Sequence, residues 1–399
     1  MNLSRSTYII ILNLILVGII GCFLRFYFLH PVAGINYGYV LHAHSHLAFL
    51  GWVFMALYVL IIYAYLPREI QKTGTFSILF ILLQLANLGM LFTFPFMGYA
   101  LWSILFSAMH AITAMVFAGL FIRKARLALP EKHQLSFLFI KWGLILMVIS
   151  NLAPFALGPV SAIKGKGDLY YLLIYFYLHF QYNGWFIFAI IGLILRLLER
   201  FDVNTNNRLI RAGFKLKLIA VFPAYTLSAL WTDPDAIWQL IAVMSAVIQL
   251  AGIVCIGYFI IRHQGVLLQR KVNMLQILFW VGLVSLAVQH LLMLLSAIPA
   301  LANLAFTRNI VIAYLHLVLL GFVSVWLFFI LLKTGSLQLS KSSSLGLGGF
   351  LTAFVITELI LVFQGYIPNS IQWLFYLAIV QLAGFLSLFF NMKLIKPTS

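Results

Sequence analysis

Long apolar runs, each of about 20 residues or more, recur along the whole chain and are separated by short polar turns. A run of that length is enough for one helix to cross the hydrocarbon core of a bilayer. The sequence therefore predicts an all-α integral membrane protein with about twelve transmembrane helices, and we expect residues 1–399 to form a single polytopic membrane domain. The predicted spans cover approximately residues 8–29, 40–66, 75–96, 98–122, 134–157, 169–198, 211–231, 236–262, 272–297, 308–333, 345–366 and 370–394.

Basic residues lie between the spans and not along one surface. The chain has 25 lysines and arginines against 8 acidic residues, a formal net charge of +17 that could indicate a nucleic-acid partner. However, most of these cations fall in the connectors that follow even-numbered spans, including those from Arg196 to Lys217, and such asymmetry sets the orientation of a membrane protein. The sequence therefore predicts no nucleic-acid partner, a lipid bilayer as surroundings, a bacterial inner membrane as location, and cytoplasmic termini.

Histidines inside the apolar runs need a functional reason, because an unpaired imidazole is costly in hydrocarbon and intramembrane ionisable residues are usually functional. The segment His46–Val53 has the pattern His-Leu-x-x-Leu-Gly-aromatic-Val, and the segment His316–Val323 repeats it. The glycines of the two segments, Gly51 and Gly321, leave bare backbone just over one turn beyond the histidine. A flat group or another helix could lie against each of these patches.

Most intramembrane histidines fall in the outer half of the bilayer on the predicted orientation. A neutral imidazole is a good ligand for haem iron, copper or zinc, and two facing helices can supply axial nitrogens to one porphyrin. We therefore expect a b-type haem between spans 2 and 10. The candidate haem-binding residues are His42, His46, Gly51, His316, Gly321 and Arg308, the last as a partner for haem propionates. The candidate ligands of a second metal, copper or non-haem iron, are His44, His179 and His290.

These features resemble subunit I of the haem-copper oxidase and nitric oxide reductase superfamily. His316, followed by Gly321 and Phe322, is similar to the end of the family's tenth-helix motif, which implies that His316 ligates a low-spin haem. For the partner ligand on the second helix, the resemblance implies His42, whereas the internal repeat favours His46. The segment His179–Phe186 resembles the cbb-type helix whose histidine binds the second metal beside the active haem.

The chain departs from that family at two places. The family's seventh helix carries a His-His pair for copper, but the region Arg211–Asp235 contains no histidine. Tyr314 stands where the family has the proximal ligand of the oxygen-reducing haem. Because these ligands are missing, the sequence leaves open whether the chain is an oxidoreductase of the terminal oxidase or nitric oxide reductase type, and no catalytic residue is assigned.

A second resemblance is to NnrS, a family of haem- and copper-containing membrane proteins of the nitric oxide response. His44 and His46 with Gly51, and His316 with Gly321, fit the histidine and glycine spacing of that family. Either resemblance implies electron transfer or chemistry of a small gas, O2 or NO, with a cytochrome or a quinol as electron donor.

Two other classes of protein stay open. A transporter that uses the histidines for metal ions or protons would show two repeats of six spans and carboxylates near the midplane. The repeated motif instead lies eight spans apart, and Glu358 is the sole deeply placed carboxylate. An unliganded membrane scaffold would keep its spectrum and stability after the loss of His46 and His316.

Overall fold

In the computed structural model, the described part of the chain contains twelve helices that are long and apolar enough to cross a membrane. The structure describes residues 3–128, 134–268, 273–298, 301 and 306–391, and these contain no β-strand. The prediction of an all-α membrane fold with about twelve spans is confirmed. In chain order the helices are α1 Arg5–Leu29, α2 Tyr37–Tyr65, α3 Gly74–Met97, α4 Leu101–Ala128, α5 Leu135–Lys164, α6 Asp168–Glu199, α7 Arg208–Thr232, α8 Ala236–Arg262, α9 Met274–Ser296, α10 Arg308–Lys333, α11 Lys341–Val362 and α12 Ser370–Phe390.

A glycine turn separates α3 from α4. Pro95 does not end α3, which continues to Met97. The next residue, Gly98, has a φ of 57°, a backbone conformation that side chains rarely adopt. A Cβ on Gly98 would also lie 2.4 Å from the ring of Tyr39. The turn therefore requires glycine at this position for two reasons.

Three helices change to π-helical hydrogen bonding part-way along their length. The π segments are Leu47–Phe54 in α2, Phe180–Phe186 in α6 and Leu317–Ser324 in α10. These helices are also the most buried, since 83%, 94% and 67% of their most apolar stretches are inside the protein, compared with 22–56% for the other nine. Turns of π-helix are rare and frequently occur at functional sites. The most buried helices, each four spans from the next, thus share an uncommon backbone feature.

The helices group into two compact units. Unit 1 consists of Met1–Phe121 and Leu327–Ser399, and unit 2 of Ile122–Trp326. In unit 1, α12 packs against α11 and α1, and α2 packs against α3; in unit 2, α7 packs against α8, and α5 packs against α6. The expectation of one single membrane domain stays a prediction.

Close backbone contact between α11 and α12 leads to a first prediction, on stability. A Cβ on Gly384 would lie 2.6 Å from the carbonyl oxygen of Gly346, which is backbone and cannot turn away. Gly384→Ala is therefore expected to destabilise the protein by about 1–3 kcal/mol, the usual range for overpacking. Gly349→Ala is the matched control, because its Cβ would lie 3.8 Å from Val380 in the same helix pair. Thermal unfolding in one detergent should show a lower midpoint for Gly384→Ala only, and equal midpoints would contradict the contact.

Candidate functional site

Three histidines occupy the same structural position in three different helices. Each is the last residue before a π segment, and they are His46 in α2, His179 in α6 and His316 in α10. The sequence pattern selected His46 and His316, and a family resemblance selected His179. The structure shows that all three belong to one recurring arrangement.

The sequence around His179 contains the same spacing of histidine, glycine and aromatic residue. His179 is followed by Gly184 at the fifth position and then by an aromatic ring, as His46 is followed by Gly51 and Trp52. The residues between His179 and Gly184 are Phe-Gln-Tyr-Asn, so a pattern that required leucines did not detect the repeat. The pattern common to the three helices is shorter: histidine, glycine five positions later, and an aromatic ring.

In unit 1, polar side chains from neighbouring helices contact the backbone of the π segment in α2. Asn13 Nδ2 donates to the carbonyl oxygen of Gly51 at 2.8 Å, and the amides of Asn13 and Gln84 also bond each other in both directions. Asn87 Nδ2 lies 3.5 Å from the carbonyl oxygen of Leu50. Buried carbonyls need a partner, and here side-chain amides supply it. No sequence pattern predicts a role for these amides, which occur singly in apolar helices.

The backbone at Gly51 is covered closely by a side chain of its own helix and less closely by α1. A Cβ at this position would lie 2.5 Å from Leu47 Cδ1 and 3.7 Å from Asn13 Cβ. The space beside Gly51 therefore faces the side chain of Leu47 and helix α1. Gly321 is buried in the corresponding π segment of α10. The expectation that Gly51 and Gly321 lie against a planar group stays a prediction.

His42 and His46 lie on one face of α2, beside the same two rings. The ring of His42 is 4.7 Å from that of Tyr99, and His46 stacks on Phe94 at 4.5 Å with 12° between the ring planes. His46 Nε2 forms a hydrogen bond with the Tyr99 hydroxyl at 3.0 Å. Tyr99 is 51% exposed, so solvent can compete for this hydrogen bond.

His44 faces a different neighbour, helix α1. Its Nδ1 lies 3.1 Å from the carbonyl oxygen of Val17. A carbonyl oxygen only accepts, so Nδ1 carries the hydrogen and Nε2 presents the lone pair. The ring is packed closely, since a Cβ on Gly21 would lie 3.1 Å from His44 Cε1. His44 therefore has an interhelical hydrogen bond, and its role as a metal ligand stays a prediction.

His110 in α4 approaches the same π segment from another side. Its ring packs edge to face on Phe54 at 5.0 Å and lies beside the carbonyl group of Leu50. His110 is 2% exposed, and its Nε2 makes no hydrogen bond with any described residue. Polar groups of α1, α3 and α4 thus meet around the π segment of α2.

In unit 2, His179 belongs to a directed chain of hydrogen bonds. His179 Nε2 donates to the carbonyl oxygen of Val221 at 2.8 Å, so its Nδ1 carries the lone pair. Asn183 Nδ2 donates to that nitrogen at 3.2 Å, and Gln289 Nε2 donates to Asn183 Oδ1 at 3.0 Å. All three polar side chains are buried. The chain links α9 to α6 and α6 to α7.

Lys217 is a second polar centre of unit 2. Its basic neighbours predict a place in a cytoplasmic connector, but Lys217 lies inside α7, with no exposed surface. The assignment to a connector was wrong because the basic residues at the start of α7 resemble a loop. Lys217 Nζ donates to Gln249 Oε1 in α8 and to His290 Nε2 in α9, the latter at 2.8 Å.

His316 is half-buried at the start of the π segment in α10, and Arg308 is the first residue of the same helix. Two residues before His316, Tyr314 lies edge to face with Tyr182 at 5.8 Å. Tyr314 also lies beside the amides of Asn183 and Gln289. The stretch before His316 therefore borders the hydrogen-bond chain of unit 2.

The candidate haem ligands belong to different units. His42 and His46 lie in unit 1, and His316 lies in unit 2. The placing of one haem between spans 2 and 10 stays a prediction.

No protein-family model matches the chain, and no curated protein matches it.

The described residues contain no group of three or more His, Cys, Asp and Glu side chains that could hold a metal ion. His290 Nδ1 lies 2.9 Å from the carbonyl oxygen of Leu286, so its Nε2 carries the lone pair that accepts from Lys217. Both predicted second-metal ligands of unit 2, His179 and His290, thus have two hydrogen-bonded ring nitrogens. Their role as ligands stays a prediction.

Proposed function

We propose that the chain is an integral membrane haem protein for electron transfer or for redox chemistry of a small gas such as O2 or NO, with His46 and His316 as axial ligands of b-type haem. The observation that carries this proposal is the recurrence of a histidine before a π segment in α2, α6 and α10. Such segments frequently occur at functional sites, and imidazoles inside a membrane are usually functional. The shared position favours a functional role over simple packing, and for His46 and His316 we propose that this role is haem ligation.

The surroundings of His46 fit an axial ligand. Its ring is held by stacking on Phe94, and among the described residues its Nε2 has one hydrogen-bond partner, a tyrosine hydroxyl that a haem iron would have to displace. On the other helix, Arg308 begins α10 two turns before His316, and a guanidinium can form paired hydrogen bonds with a carboxylate such as a haem propionate. When bound, a b-type haem would supply a centre that takes up and releases one electron.

Between the two candidate ligands on α2, the structure favours His46. His46 has the position before a π segment that His179 and His316 share, whereas His42 lies one turn earlier. His42 lies beside Tyr99, the residue that bonds His46. We assign His42 to the surroundings of the ligand, where it would help to position Tyr99.

The proposed location is the inner membrane of a bacterium, with both termini on the cytoplasmic side. Two observations support the orientation. An even number of candidate spans among the described residues puts the start of α1 and the end of α12 on the same side, if every one of them crosses the membrane. The basic residues are concentrated in the connectors on that side, as the positive-inside rule requires.

A visible spectrum of the purified full chain tests the proposed function. The protein would be expressed in a host supplied with haem, purified in mild detergent, and measured as a reduced-minus-oxidised difference spectrum with pyridine haemochrome quantitation. We expect a Soret band and at least one b-type haem per chain. Repeating the measurement with CO separates an iron with an open position, as gas chemistry requires, from a closed iron suited to electron transfer.

Absence of a Soret band after haem is supplied would overturn the proposal. Binding of zinc or copper by that haem-free protein, together with metal uptake into vesicles, would then support a transporter. Unchanged stability of His46→Ala and His316→Ala in the haem-free protein would support a scaffold.

A further inference from the structure

The resemblance to the haem-copper oxidases implies a copper ion near α6 and α7. Such an ion would need free imidazole nitrogens in unit 2. Copper and other transition metals bind an imidazole through the lone pair of a ring nitrogen. The described residues of unit 2 offer two buried histidines near α7, His179 and His290. Either histidine could bind a metal ion only if the lone pair of its ring nitrogen had no other partner.

The lone pair of His290 is taken by a lysine. The carbonyl of Leu286 fixes the hydrogen on Nδ1, so Nε2 is the only nitrogen that can bind a metal, and Lys217 Nζ lies 2.8 Å from it. Gln249 Oε1 accepts a second hydrogen bond from the same amino group. Both side chains that bind Lys217 are 1% exposed or less, so solvent does not compete for these bonds.

The lone pair of His179 is taken by an amide. Val221 fixes the hydrogen on Nε2, and Asn183 Nδ2 donates to Nδ1. The orientation of the Asn183 amide is itself fixed, because its Oδ1 accepts from Gln289 Nε2 at 3.0 Å. Turning the amide to free His179 would therefore break two hydrogen bonds in a buried site.

We propose that Lys217 and Asn183 cap His290 and His179, and that an amino group takes the place of the second metal ion in unit 2. The hydrogen-bond donors of the protein occupy both lone pairs, and the region Arg211–Asp235 supplies a lysine instead of a histidine pair. The residues present do not fit a copper or non-haem iron centre. Unit 2 is instead a hydrogen-bonded polar centre that joins α6, α7, α8 and α9.

The first test is metal content. The full chain would be produced with copper, zinc and iron in the medium and analysed for non-haem metal per chain, beside His290→Gln and His179→Gln. We expect the same non-haem metal content in all three proteins. A loss of one equivalent in either variant would overturn the proposal, because that histidine would then be a native ligand.

The second test opens the capped site. Histidine is shorter than lysine, so Lys217→His leaves a gap that an ion can bridge between two imidazoles. We expect Lys217→His to gain one equivalent of Cu+ or Zn2+ over wild type, and Lys217→His/His290→Leu to lose it again. Lys217→Met, which fills the space without an imidazole, is the control for Zn2+. Failure of Lys217→His to gain metal in a folded protein would also overturn the capping role.

Metal content is measured whether or not haem is bound. A failed metal test with a normal haem spectrum would therefore reject the capped centre alone. A missing haem spectrum with the expected metal results would reject only the proposed function.

Discussion

Replacing His316 by alanine is expected to lower the haem content of the protein by at least about tenfold. Loss of groups that merely orient a metal ligand already lowers metal affinity about 10–100-fold, and loss of the ligand itself should do more. His316 precedes the π segment of α10, the position that carries the proposed function. The measurement is the Soret absorbance and pyridine haemochrome per mole of purified protein, with haem supplied during expression.

The same experiment separates the two candidates on α2. His46→Ala is expected to lose haem as His316→Ala does, whereas His42→Ala should retain it, because only His46 has the shared position. The matched control is His263→Ala, since His263 follows α8 and its Nδ1 bonds the carbonyl oxygen of Phe259 one turn earlier in its own helix. Full haem content in His316→Ala and His46→Ala would contradict the assigned ligands. Loss in His42→Ala alone would transfer the role to His42, as the family resemblance implies.

The number of helices could be predicted from the sequence because hydropathy depends on composition and length alone. Twelve apolar runs gave twelve helices, and the separation of α3 from α4 follows from Gly98, whose positive φ only glycine adopts readily. The α7 boundary was less accurate. Lys215 and Lys217 are both basic, yet Lys215 is exposed and Lys217 is fully buried. Sequence position could not separate them because they differ in the direction of their side chains around one helix.

The arrangement around the histidines was only partly predictable. The repeated pattern in α2 and α10 identified His46 and His316 as candidates. It did not predict a π segment, because a change in backbone hydrogen bonding does not change which residues of the run are apolar. The hydrogen-bond partners could not be predicted from the sequence either. Asn13 and Asn87 contact α2 from the two helices next to it in the chain, at separations of 38 and 37 positions, and Lys217 contacts His290 across 73 positions. Such contacts depend on how the helices pack, and the packing cannot be read from the pattern of a single sequence.

The contact between Lys217 and His290 gives the second large expected effect. His290→Leu should destabilise the protein by roughly 3 kcal/mol, because it leaves a buried amino group without one of its two acceptors. Lys217→Met/His290→Leu removes both polar groups and keeps the apolar volume. If the two side chains stabilise the fold mainly through each other, this double variant should be more stable than His290→Leu, with a coupling energy of about 2 kcal/mol. Unfolding of wild type, both single variants and the double variant in one detergent measures that energy.

Met293→Leu is the control for this cycle, because Met293 is also buried in α9, close to one turn beyond His290. A volume-conserving apolar exchange of this kind should cost less than about 1.5 kcal/mol and should not couple to Lys217. If the double variant were destabilised by the full sum of the single effects, the hydrogen bond would contribute nothing specific. The lysine would then be held by Gln249 alone, and the case that it replaces a metal ion on His290 would be lost. If the amino group of Lys217 caps the imidazole of His290, Lys217 should show a positive coupling energy with His290 and none with Met293.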